Sequence, residues 1–136
     1  MNIVLDASAG LIIAAANTHA HLRELLGAAK WVGAPELYDF EVTNTVWKYN
    51  RFGDWTAEQS ESVLGRALEL IDQRVDGASL AVEALALARQ HSHSAYDMFY
   101  IALARRRDAL LATLDAKMTA LAQRVGVRVD GGLAAP

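Results

Sequence analysis

Four carboxylates stand where they could share one site. Asp6 follows the apolar run Ile3-Val4-Leu5, and Asp115 follows the apolar stretch 110–114, each at the carboxyl end of an expected strand. Glu41 sits on the less apolar face of an expected helix, and Asp97 opens the otherwise apolar segment 96–104. Asp97 and Ile101 share a helical face, so this acid looks toward protein rather than open water. A carboxylate aimed at an apolar interface needs a partner or a cation. If the four converged, each pair at about 4 Å would repel by roughly 1 kcal/mol in water and about 4 kcal/mol at an effective dielectric of 20. Such a cluster persists with some acids protonated or with cations bound. Ligation by oxygen alone suits a hard divalent ion, Mg2+ or Mn2+. Ions of this kind support in-line phosphodiester hydrolysis by activating water and stabilising both apical oxygens. Each acid also has a plainer reading: Asp6, Asp97 and Asp115 as helix caps, Glu41 as a solvated partner of Lys30 or Lys48.

The composition limits where such chemistry could be housed. The chain has 136 residues, enough for one domain, and at 53% hydrophobic it can bury a core. It has no cysteine, which excludes a disulfide scaffold, a thiolate metal site and thiol catalysis. Thirteen basic against sixteen acidic residues give a net charge of −3, so the chain lacks the basic footprint of a general DNA binder. Bound cations can nevertheless reverse the sign of a local site. Residues 9–16 are apolar apart from Gly10, but no Lys or Arg precedes Arg23, unlike a signal peptide. No stretch approaches the roughly 20 apolar residues that span a bilayer. The expectation is a soluble cytoplasmic protein that does not enter the membrane.

The elements that must position the acids can be read in order. Residues 1–5 form a strand, apolar as a strand buried on both faces must be. Helices follow at 9–16, capped by Ser8, and at 20–29, capped by Thr18. A strand at 31–34 leads to a helix at 37–52, with Val42, Val46 and Tyr49 on one face and Glu41, Asn44, Thr45 and Lys48 on the next. Thr56 and Gln59 resemble a capping box for a helix reaching residue 71. A brief strand at 74–75, helices at 80–90 and 96–107, a strand at 110–114, a helix at 117–124 and a strand at 127–129 complete the order. Strands separated by helices imply a parallel sheet of four to five strands with helices on both faces. Residues 1–130 are expected to form one domain, and 131–136 a frayed tail.

Asp6-Ala7-Ser8 after the opening strand, Glu41 with Asn44 on a helix, Tyr96-Asp97 opening a helix and Thr113-Leu114-Asp115 after a late strand together resemble a PIN-domain nuclease. The size and order are most similar to the VapC-type toxins of bacterial toxin–antitoxin pairs. The resemblance spans residues 2–129. It implies a three-layer α/β/α fold and an Mg2+- or Mn2+-dependent endoribonuclease that leaves a 5′-phosphate and a 3′-hydroxyl. On the same resemblance Asp6, Glu41, Asp97 and Asp115 hold the metal, with Asp6 and Asp97 the strongest ligands. Glu41 and Asp115 then bind through water or orient the attacking hydroxide. Ser8 and Thr113 support the site, and Asn44 orients Glu41. The resemblance further implies a homodimer held inactive by a small antitoxin, with the apolar residues of 11–29 and 41–70 offering it a surface.

Other residues point less clearly. His91 and His93 could bind a transition metal, but their default reading is a solvated loop. Arg105-Arg106-Arg107 reads as favourable charge at a helix carboxyl end rather than an RNA contact. Trp31, Trp47 and Trp55 read as core or interface anchors, with Trp47 also placed to stack on RNA. Two rivals remain open. A phosphoacceptor receiver domain would carry paired acids after the first strand and a lysine at a later strand end. A non-catalytic α/β binding module would use the acids only as caps and would scarcely bind Mg2+.

Overall fold

The computed structural model describes residues 1–130, so the tail expected at 131–136 lies outside the described residues. Strands β1 (Asn2–Leu5), β2 (Trp31–Pro35), β3 (Gln73–Val75) and β4 (Leu110–Ala112) form one parallel sheet in the order β3-β2-β1-β4. The helices are α1 (Ala7–Ala15), α2 (Ala20–Ala28), α3 (Leu37–Phe52), α4 (Ala57–Glu69), α5 (Gly77–His91), α6 (Ala95–Arg107) and α7 (Ala116–Val125). The layers are α/β/α. Central β1 is flanked by β2 and β4, and Ile3, Val4 and Leu5 are completely buried, which accounts for their unbroken apolar run. Helix α6 lies against β1, β2 and β4, and its Met98, Ile101, Ala102 and Leu103 are fully buried. A second apolar cluster, Leu11, Ala14, Val46, Val63 and Ala67, joins α1, α3 and α4.

Helix α1 carries the first acid, and it is held at both ends. At its start Asp6, not the expected Ser8, is the cap, its carboxylate accepting from the Ala9 amide at 3.0 Å. At its end the orphan carbonyls meet two arginines. Arg66 Nε donates to the Ala14 carbonyl at 2.9 Å, while Arg23 donates to Ile13 at 2.6 Å and to Ala16.

Three local expectations are corrected. Thr18 does not cap α2, because its hydroxyl is taken by Nδ1 of His19, 2.8 Å away; His19 itself adopts a left-handed φ of 60° at the N-cap. The last strand at 127–129 shrinks to a single bridge between Leu111 and Val129, since the Val127 amide is spent on the Ala122 carbonyl at the end of α7. The apolar residues of 11–29 mostly face inward, with Leu11, Ile13 and Leu22 buried. The exposed apolar surface is on α3 (Phe40, Trp47, Tyr49, Phe52), within or next to the expected 41–70, and on α5 and α6 (Val82, Leu85, Tyr96). Among the described residues no helix is long and apolar enough to cross a membrane.

Candidate active site

Parallel sheets present ligand sites beyond the carboxyl ends of their strands, and the acids gather there. Asp6 leaves β1 and Thr113 leaves the neighbouring β4, whose pairing the Asp6 amide extends by donating to the Ala112 carbonyl at 3.1 Å. Asp6 is buried at 4% exposure and accepts from three groups. Its Oδ1 takes the Ser8 hydroxyl at 2.7 Å and the Ala9 amide at 3.0 Å, and its Oδ2 takes the Thr113 hydroxyl. Ser8 and Thr113 are themselves fixed, because their oxygens accept the amides of Leu114 at 3.1 Å and Asp115 at 3.0 Å. Asp115 caps α7 through Oδ1, which accepts from the amides of Lys117 at 2.8 Å and Met118 at 3.1 Å. The helix-cap reading therefore holds for Asp6 and Asp115 without removing either from the cleft.

Glu41 and Asp97 come from α3 and α6, two helices that both pack on β2. The solvated pairing of Glu41 with Lys30 or Lys48 does not occur. Its Oε1 accepts from the buried Tyr100 hydroxyl at 2.6 Å. Asn44, the expected orienter, is exposed on the same helix, and the structure sets Tyr100 in that position instead. Burial first, and then the charge of Glu41, push the Tyr100 hydroxyl far above its ordinary range, so it stays a donor at any working pH. Asp97 does not cap its helix; Ser94 does, and Asp97 lies in the first turn of α6. Neither is His93 a solvated loop residue. Its side chain is 24% exposed, with Nε2 3.6 Å from Oδ2 of Asp97.

All four acids line one cavity of about 680 Å³, which the apolar and aromatic side chains of Leu11, Ile12, Tyr49, Trp55 and Met118 also line. Their charges are mutually felt. Burial chiefly raises the Asp6 carboxyl, three hydrogen bonds oppose it, and Asp115 adds to the rise. Burial likewise raises Glu41, with Tyr100 opposing and Asp97 and Asp6 adding. For Asp97 burial again leads, His93 opposes and Asp115 adds. Each acid thus repels two others around a ring, the arrangement a bound cation relieves.

The donor set fits a hard divalent ion. Among the described residues one oxygen each of Glu41, Asp97 and Asp115 has no hydrogen-bond partner, and Asp6 keeps lone-pair capacity beyond its three bonds. No three of these side chains are already drawn together as a closed ligand cage. Mg2+ holds few protein ligands and keeps several waters, so the fit rests on the chemistry of these oxygens and not on a closed cage.

Residues 3–124 match the PIN domain family. The chain belongs to that family. A relative, Ribonuclease VapC3 of Pyrobaculum aerophilum, is 29% identical over 121 residues, spanning 87% of this chain and 92% of its own length. The solved structure of PAE2754 from the same organism superposes with a TM-score of 0.75 at 22% identity, covering 98% of this chain and 86% of that one. FitAcB from Neisseria gonorrhoeae gives a TM-score of 0.63 at 16% identity, covering 93% and 95% respectively. The PIN-domain assignment carries the fold read from the sequence: a short parallel sheet of four strands between helical layers.

Tyr100 is the site residue that sequence reasoning passed over. Its spacing three residues after Asp97 puts it on an adjoining face of α6, a signal that reads equally well as core. Tyr100→Phe removes the donor but keeps the ring, so Glu41 loses its partner in a half-buried position. The variant is expected to lose about 1–2 kcal/mol of stability in urea unfolding. Its Glu41 carboxyl, followed by NMR, is expected to titrate higher still, because the opposing hydrogen bond is gone.

Proposed function

We propose that this PIN domain is a divalent-metal-dependent endoribonuclease and the toxin of a toxin–antitoxin pair, working in the cytoplasm. The observation that carries the reading is the ring of four mutually repelling carboxylates at the carboxyl edge of the sheet, Asp6 buried, Glu41 and Asp97 half-buried and Asp115 exposed. Family membership and the likeness to Ribonuclease VapC3 support RNA as the substrate class. In this reading Asp6 and Asp97 hold Mg2+ or Mn2+ most directly. Glu41 and Asp115 bind it through water or orient the attacking water. Ser8 and Thr113 keep Asp6 in place, and Asn44, exposed beside Glu41, is left a supporting role at the rim. The ion, when bound, supplies Lewis acidity at the phosphate and lowers the pKa of a coordinated water.

The chain's own residues do the positioning. Three donors pin Asp6, so its carboxylate cannot rotate away from the cleft. Tyr100 fixes one oxygen of Glu41 and leaves the other for an ion-bound water. The apolar wall limits competing water at the reacting phosphate. Hydrolysis in line leaves a 5′-phosphate and a 3′-hydroxyl. The same cavity, lined by both acidic and apolar side chains, suits an antitoxin segment that presents a basic side chain among apolar ones. The exposed apolar residues of α3 and α5 support a homodimer.

The test is incubation with tRNA, ribosomal RNA and messenger fragments in Mg2+, Mn2+ or EDTA. Cleavage that needs the ion and yields 5′-phosphate ends supports the reading. Ion binding without cleavage of any RNA by antitoxin-free protein overturns it. Failure to bind any divalent ion overturns the metal site and leaves a domain in which Asp6 and Asp115 serve as helix caps.

A second outcome follows from the raised carboxyls. The folded chain holds protons on Asp6, Glu41 and Asp97 that the unfolded chain has released, so metal-free stability falls as pH rises from about 4 through their raised values. The Tm of the metal-free protein is therefore expected to be lower at pH 7.5 than at pH 5. Saturating Mg2+ should raise Tm more at pH 7.5, where it no longer competes with protons. Scanning calorimetry at the two pH values checks both signs.

A further inference from the structure

Helix α3 brings three side chains to the cavity at successive turns: Glu41, Thr45 and Tyr49 all line it. By the rise of an α-helix, Tyr49 stands about 12 Å along the axis from Glu41. Helix α3 stops at Gly53, whose amide donates to the Tyr49 carbonyl at 3.0 Å. The chain then folds back, held by the Asn50 side chain, which donates to the Trp55 carbonyl at 2.9 Å. Trp55 is thereby returned to the same cavity and stacks on Tyr49, with ring centroids 4.7 Å apart and planes 20° apart. The two rings differ in what holds them. Trp55 is partly buried against the apolar cluster that joins α1, α3 and α4, so packing accounts for its place. Tyr49 is 48% exposed. Trp55 covers one face of its ring, so that exposure belongs to the other face and the edge. Trp47, the aromatic residue that the sequence offered for stacking on RNA, is 52% exposed but does not line the cavity, and its ring meets Phe52 edge-on at 5.8 Å.

We infer that Tyr49, backed by Trp55, is the platform on which one base of the RNA strand stacks while a nearby phosphate meets the carboxylates. The inference rests on the proposed ribonuclease reading and adds to it the residues that hold the base. A cavity with acids at one turn of α3 and an uncovered aromatic face two turns on matches the two halves of a nucleotide, one charged and one flat and apolar. Every base has a π face, so a ring of this kind holds it with little regard to its identity. Trp55 keeps the Tyr49 ring from turning away, and the platform is in place before the RNA arrives. Trp47 serves as the internal control, an exposed aromatic residue of the same helix outside the cavity.

The experiment uses the full chain carrying Asp97→Asn, so that the RNA stays intact, in Mg2+, with circular dichroism checking that each further variant is folded. Anisotropy follows binding of a short fluorescein-labelled RNA, and of a strand of equal length that keeps the ribose and phosphates but lacks the bases. Tyr49→Leu is expected to weaken binding of the RNA by about tenfold and to leave binding of the baseless strand within about twofold. Tyr49→Phe, which keeps the ring, and Trp47→Leu are each expected to bind the RNA within about twofold of the parent. Unchanged RNA binding in Tyr49→Leu overturns the platform and leaves the apolar side chains of the cavity to the antitoxin segment. An equal loss on both strands marks Tyr49 as structural, and an equal loss in Trp47→Leu puts the base outside the cavity; either overturns the inference. No RNA binding by the parent overturns it outright, and cleavage by the wild type then decides whether the ribonuclease reading falls too.

Discussion

RNA cleavage by Asp97→Asn is expected to fall by at least about 10³-fold, while its metal-free form unfolds at a higher temperature than the wild type. The two effects share one cause. Asp97 is 28% exposed, and both burial and the charge of Asp115 disfavour its ionised form. Asparagine keeps the shape and removes the charge, so the repulsion around the ring drops. A gain of about 1 kcal/mol is the order to expect for one like-charge contact near a surface, or roughly 3 °C for a chain of this size. The same charge is what would anchor an ion and meet the charge that develops on the phosphate. Removing one group that acts on such charge commonly costs 10²–10³-fold, and here the loss of the ion's anchor adds to it. Cleavage assays and calorimetry on the same preparation measure both. If stability and activity fall together, Asp97 is a structural partner of His93, and the reading of the acids as a strained functional cluster is wrong. Stability sacrificed at one ring of residues is the mark of a site kept for chemistry.

What the sequence made legible depended on distance along the chain. Asp6 and Asp115 could be located because each directly follows an apolar strand, and α3 could be bounded because Val42, Val46 and Tyr49 repeat at helical spacing. Which residue caps α1 was not legible: Asp6 and Ser8 are both good caps, and only the chain path into Thr113 of β4 decides for Asp6. The partner of Glu41 was less legible still. Tyr100 lies 59 residues away, and the two meet because α3 packs on β2 while α6 packs on β1, β2 and β4. His93 was hidden for a different reason. Its contact with Asp97 follows a left-handed Ser92, a conformation that a serine code does not announce. The inward face of α1 was misjudged because a helix apolar all round gives no periodic cue to which side is buried.

The substitution of one methyl group at two helical glycines should give opposite results. In an open helical position glycine costs up to about 1 kcal/mol relative to alanine. Gly65 of α4 is such a position, with nothing near an added Cβ, so Gly65→Ala is expected to stabilise by about 0.5–1 kcal/mol. Gly10 of α1 is not. A Cβ there would fall 2.1 Å from the Tyr38 hydroxyl oxygen and 2.9 Å from two ring carbons. Tyr38 is fully buried, and its hydroxyl donates to the Ala67 carbonyl of α4 at 2.8 Å, so it cannot withdraw without giving up that bond. Overpacking of this kind costs about 1–3 kcal/mol, and an orphaned buried carbonyl adds about 1–3 more, against a propensity gain of up to about 1. Gly10→Ala is therefore expected to destabilise by about 3 kcal/mol, lowering Tm by roughly 10 °C. The displacement also reaches the site. Tyr38 is three residues before Glu41 on α3, while Gly10 is one helical turn after Asp6, whose carbonyl its amide binds at 3.0 Å. Pushing α1 from α3 separates the two carboxylates, so activity measured well below Tm should fall too. Thermal melts of the two variants beside the wild type make the comparison. A rise in Tm for Gly10→Ala matching that of Gly65→Ala would mean that α1 and α3 do not meet across this glycine, and that the cleft between them is held open some other way.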